Sequence, residues 1–109
     1  MYSTDEEILH GLKRNSDFAF SVLMRKYYSD LYRYGRHFTS DETIVADCIQ
    51  DVFINVWENR HKTAPIRHLK QYLLTAIKRR ILRITSQNKQ TRLATGNMED
   101  EYDFGLDFS

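Results

Sequence analysis

The stretch DCIQDVFINVWENR, Asp47 to Arg60, has the period of an α-helix and polar residues where a plain packing helix has no use for them. Val45, Cys48, Ile49, Val52, Val56 and Trp57 recur at three- and four-residue steps and form an apolar stripe. Asp47 and Asp51 stand four apart, with Gln50 three from Asp47, so these three share another side of the same helix. A solvated polar face and a docking face for a basic partner both fit that spacing. Periodicity alone leaves the two readings open.

Working outward, the chain divides into helices. Upstream, Phe18, Val22, Leu23, Tyr27, Leu31 and Tyr34 predict a helix over Asp17–Phe38, and Asp5–Lys13 reads as a shorter one before it. Ser3, Thr4 or Asp5, then Asn15-Ser16-Asp17, then Thr39-Ser40-Asp41 supply residues able to cap the helix that follows each. The third helix is expected over Glu42–Glu58. Asn59–Ile66 contains Pro65 and no clear period, so it reads as a loop. Leu69, Leu73, Ala76, Ile77, Ile81 and Ile84 predict a fourth helix over Arg67–Thr85. The expected fold is therefore all-α, a bundle of about four helices. The domain is expected over residues 1–85, with 86–109 as a flexible acidic linker or tail ending EDEYDFGLDFS. Trp57 and Tyr72 are expected to pack in the core.

Four glycines and one proline in 109 residues suit helices rather than a turn-rich sheet protein. No apolar run approaches the roughly 20 residues of a membrane span. The single cysteine, Cys48, has no internal disulfide partner, which suits a cytoplasmic protein. There is no glycine-rich phosphate loop and no Cys/His set with metal-ligand spacing. His10, His37, His61 and His68 are scattered. The carboxylate pairs Glu6/Glu7 and Asp47/Asp51 have no neighbour that would give them acid–base roles. These features argue against an enzyme and call for no cofactor or metal.

The net charge of +1 hides a strong segregation. Residues 1–59 carry six Lys/Arg and ten Asp/Glu, residues 60–98 carry ten Lys/Arg and no acid, and residues 99–109 carry five acids and no base. Ordinary surfaces mix both signs, so the blocks point to separate partners for separate faces.

Three segments together resemble conserved region 2 of a bacterial RNA polymerase sigma factor of the extracytoplasmic-function (ECF) group. FSVLMRKYYSDLYRYGRHF (Phe20–Phe38) is similar to that region's first helical signature. DCIQDVFINVW (Asp47–Trp57) resembles its most characteristic motif, and YLLTAIKRRIL (Tyr72–Leu82) the start of its promoter-reading helix. The resemblance implies a transcription initiation factor. Asp47, Gln50 and Asp51, with Asn55 beside them, would dock on the clamp helices of the largest subunit of RNA polymerase core. The loop before the fourth helix would capture an unstacked base of the promoter −10 element, and the helix would follow the strand. The DNA-facing residues would be His61, Lys62, Thr63, Ile66, Arg67, Lys70, Lys78, Arg79, Arg80 and Arg83. Arg79, and Arg83 often as well, stand where many relatives carry asparagine, which favours backbone contact. The resemblance also implies an anti-sigma factor as a further partner. A complete factor of the group carries a second, helix-turn-helix domain, so the chain is either a fragment ending in the linker or an unusual single-domain member; the fragment is the expectation, and the acids Glu99, Asp100, Glu101, Asp103 and Asp107 of its linker would mimic nucleic-acid charge. The rival readings are a helical adaptor that binds only proteins and a general basic nucleic-acid-binding module.

Overall fold

The computed structural model describes residues 4–62 and 66–88. Four α-helices make up the fold: α1 (Asp5–Lys13), α2 (Asp17–Gly35), α3 (Glu42–Glu58) and α4 (Leu69–Asn88). Among the described residues there is no strand.

Three helix starts follow from side chains that satisfy the first, otherwise orphaned, backbone N–H groups. Thr4 and Glu7 form a reciprocal capping box: Glu7 N–H donates to Thr4 Oγ1, and Thr4 N–H to Glu7 Oε1, each at 3.2 Å. Ser16 Oγ accepts from Ala19 N–H at 3.0 Å. Asp41 Oδ1 accepts from Thr43 and Ile44 N–H at 3.0 and 3.3 Å. Each such cap contributes about 1 kcal/mol.

Three helix ends differ from the sequence expectation. α2 stops at Gly35 rather than Phe38. His37 and Phe38 N–H donate three residues back, to Tyr34 and Gly35 carbonyls, so the chain tightens into a turn and Phe38 folds edge-on against Tyr34, centroids 5.1 Å apart. α4 starts at Leu69 rather than Arg67 and continues to Asn88 rather than Thr85. No Ser, Thr, Asp or Asn stands between Pro65 and Leu69 to cap an earlier start. At its far end no Gly or Pro stops the helix, and the Thr85 hydroxyl donates back to the Ile81 carbonyl at 3.0 Å.

α2 lies at the centre, packed against α1, α3 and α4, and α3 packs in turn on α4. The core is built from four-residue rows: Ala19, Leu23, Tyr27 and Leu31 on α2, and Leu69, Leu73, Ile77 and Ile81 on α4, all 5 % exposed or less. Ile8 and Leu12 bring α1 onto the same core. Gly35 extends the α2 row. A Cβ there would lie 2.9 Å from Val45 Cγ1 and 3.1 Å from Ile81 Cδ1, so the missing side chain lets α3 and α4 close over the end of α2. Phe18, expected in the α2 stripe, is 58 % exposed. It sits one residue, about 100°, off the buried row. Tyr72, expected in the core, is 41 % exposed because it is likewise one residue off the Leu69–Leu73 row. Trp57 is half-buried against Phe20, ring centroids 5.2 Å apart.

α1 is fastened to α2 by one polar cluster. Asp5 Oδ1 accepts from Lys26 Nζ at 2.8 Å, and the Tyr27 hydroxyl lies 2.7 Å from both Asp5 carboxylate oxygens. Burial raises the Asp5 pKa, but the hydrogen bonds from Lys26 and Tyr27 and the Lys26 charge outweigh it, leaving Asp5 below its ordinary value. Burial first, and then the Asp5 carboxylate, push the Tyr27 phenol far above its usual range. A carboxylate with a depressed folded pKa contributes stability that is full above its unfolded pKa and is lost as pH falls through the folded one. The thermal midpoint should therefore drop on acidification below about pH 4, and Asp5→Asn should flatten that part of the curve. An unchanged acid limb in the variant would show that Asp5 carries none of it.

Candidate polymerase- and DNA-facing surfaces

α3 carries two chemically distinct sides. Cys48, Ile49 and Val52 are 3 % exposed or less. Asp47, Gln50 and Asn55 are exposed, and Asp51 is partly so. The helix thus brings these four together on the surface, with no role in the core. Two residues that sequence reasoning passed over share that surface. Ile54 is 46 % exposed, and Glu58 is exposed. Their signal was spacing: Ile54 follows Asp51 by three and Gln50 by four, and Glu58 follows Ile54 by four.

Burial pushes the Cys48 thiol up, and the Asp51 carboxylate adds to it against the opposing effect of Arg80. The thiol stays protonated at neutral pH and behaves as a small hydrophobe.

The α4 cations are unequal in ways the sequence does not reveal. Arg80 Nε donates to Asp51 Oδ2 at 3.2 Å, so a residue of the expected docking face pairs with a residue of the expected DNA face. Lys78 is 7 % exposed, and its ammonium lies 5.1 Å from the Phe38 ring centroid. Lys70 Nζ lies 3.6 Å from Asp30 Oδ2, a carboxylate that also accepts from Arg33 at 2.7 Å. These residues border an open groove between α2 and α4, together with Tyr34, His37 and Leu74. Arg83 is exposed and Arg79 half-buried, four residues apart on one side of α4.

The loop begins on a built support. Arg60 stacks on Trp57, its guanidinium carbon 4.0 Å from the ring centroid, and donates to the Trp57 carbonyl at 2.7 Å. His61 and Lys62 follow, both exposed. Ile66 is half-buried against the core and Arg67 is exposed. Thr63 lies outside the described residues, as does all but the first three residues of the 86–109 tail.

Among the described residues no group of three or more His, Cys, Asp or Glu could hold a metal ion, and no helix is long and apolar enough to cross a membrane. No curated protein and no solved structure matches the chain at a significant level. A family model does, the one described as sigma-70 region 2, over residues 23–91. That span holds α3, α4 and most of α2, so it contains both surfaces just described. It covers more than half of the 109 residues, and the chain belongs to the sigma-70 region 2 family, the helical domain with which sigma factors act alongside RNA polymerase in transcription initiation.

Proposed function

We propose that the chain is region 2 of an ECF-type sigma factor working in the cytoplasm. It docks through Asp47, Gln50, Asp51 and Asn55, with Ile54 among them, on the basic clamp helices of the largest polymerase subunit. It turns His61, Lys62, Ile66, Arg67 and, on α4, Arg79 and Arg83 toward the single strand of the −10 element. The observation that carries this reading is the α3 surface: acids and amides around a solvent-held Ile54, on a helix whose other side is completely buried. The fold gains little from that arrangement, one exposed pair between Asp51 and Arg80 and a hydrogen bond from Asn59 to Asn55, whereas a basic partner would gain more. An anti-sigma factor competing for the same surface would follow from the same chemistry.

One observation favours the rival adaptor reading. Lys70, Lys78 and Arg80 are engaged inside the domain, which lowers the positive charge α4 offers to DNA. The two readings part on strand binding, measured with the chain assembled on polymerase core. Replacing Arg79 and Arg83 together by alanine should weaken binding to a −10 single strand of any sequence. It should also flatten the salt dependence by roughly 1 to 2 units of slope, since each phosphate neutralised contributes about 0.7 for single strands. Ile66→Ala removes no charge, and should change which base is preferred while leaving the slope alone, because base contacts specify and phosphate contacts position. A strand affinity that neither change alters would hand the case to the adaptor. Effects exchanged between the two sites would mean that loop and helix have each other's roles.

A further inference from the structure

The turn between α1 and α2 touches the start of the promoter-facing loop, 45 residues away in sequence. Asn15 has φ = 64°, in the left-handed region that asparagine tolerates better than most residues. Its side-chain Oδ1 lies 3.0 Å from Arg60 Nε and 3.0 Å from His61 Nε2. Arg60 is held from its other side by Trp57, through ring stacking and a hydrogen bond to the carbonyl.

Two assignments follow from hydrogen-bond inventory. A guanidinium Nε–H can only donate, so the Asn15 atom facing it must be the amide oxygen and not the nitrogen. A carbonyl-type oxygen can only accept, so His61 Nε2, at the same oxygen, must carry its proton. Whenever the ring is neutral, Nδ1 is then the nitrogen without a proton. A neutral Nδ1 is an acceptor with one lone pair. It suits a hydrogen-bond donor such as the exocyclic amine of an unstacked base, and it repels a phosphate oxygen, which is itself an acceptor.

We infer that Asn15 is a positioning residue for nucleic-acid recognition. Its amide oxygen fixes the tautomer and orientation of His61, which offers Nδ1 to the exocyclic amine of a base in the single strand. This inference rests on the promoter reading and adds a specificity element outside α3, α4 and the loop itself. The left-handed backbone at Asn15 places this contact in the turn between α1 and α2, outside the loop.

The experiment has two arms. In the full chain, the ¹⁵N shifts of the His61 ring separate a single Nε2–H tautomer from a mixture. Wild type should show the single tautomer. Asn15→Gly, which keeps the backbone conformation and removes the acceptor, should show the mixture. In complex with polymerase core, binding is compared for −10-type DNA single strands in which each adenine is replaced in turn by purine, which lacks the exocyclic amine. Wild type should lose about two- to tenfold at one position, the worth of one hydrogen bond. Asn15→Gly and His61→Ala should each abolish that preference, and their combination should do no more than either alone. Core affinity and salt slope should stay as in wild type. A single tautomer and an intact preference in Asn15→Gly overturn the inference. So does a fall in core affinity in that variant, which marks a structural turn. A wild-type complex indifferent to the amine at every position overturns the His61 role and leaves docking standing, whereas a chain that does not bind core overturns the promoter reading and this inference with it.

Discussion

The chain carrying Gln50→Ala and Asp51→Lys together should bind RNA polymerase core roughly a hundredfold more weakly than wild type, with its helical circular dichroism unchanged. Truncating or reversing one partner of a charge-assisted contact in an interface costs about 2 to 5 kcal/mol, and 1.4 kcal/mol is a factor of ten. The fold should survive. Gln50 is exposed, and alanine and lysine are both good helix residues. Asp51 does lose its pair with Arg80, and the new lysine faces an arginine. That pair is 41 % and 46 % exposed, however, and an exposed pair is worth about 1 kcal/mol or less. Binding that equals wild type would remove α3 from the interface. Loss of helicity would show that the polar surface serves the fold after all.

Ile77→Ala should be the most damaging single change to stability, by about 2 to 5 kcal/mol. Ile77 is 0 % exposed and sits between Leu73 and Ile81 in the buried row of α4, a helix that packs on both α2 and α3. Truncation there removes apolar burial and leaves a cavity that two other helices hold open. A domain of this size has about 5 to 15 kcal/mol in total, so the variant should unfold at much lower urea with nearly the same slope. A shift under about 1 kcal/mol would contradict the buried-row account of α4. The contrast with Arg83, exposed on the same helix, is informative: Arg83→Ala should leave the urea midpoint close to wild type.

How much of this was legible beforehand depended on how local the signal was. Thr4, Ser16 and Asp41 cap the helices that their residue types announce, because a cap is settled within three residues. The start of α4 is not legible because no such residue exists there, nor is the end of α2, because the apolar ladder runs on through Phe38 after the helical bonding has tightened into a turn. Phe18 and Tyr72 have core composition but the wrong phase by one residue. The grouping of Asp47, Gln50 and Asp51 was readable from spacing alone, and the resemblance supplied its meaning. Ile54 was readable in principle, being apolar yet outside the stripe. The Arg80–Asp51 pair and the Asn15 contacts with Arg60 and His61 were not, since they join residues 29, 45 and 46 positions apart and exist only once the helices have packed. Arg80 and Lys78 are plain charges in sequence, and only the fold sets Asp51 against the one and the Phe38 ring against the other.

The central claim is that the α3 surface is an interface with polymerase. It is tested most directly by titrating fluorescently labelled full chain with purified polymerase core at moderate salt. Saturable binding at one chain per core, competed by unlabelled wild type but not by the Gln50→Ala, Asp51→Lys variant, is the predicted result. Absence of saturable binding, or equal competition by wild type and variant, would contradict it.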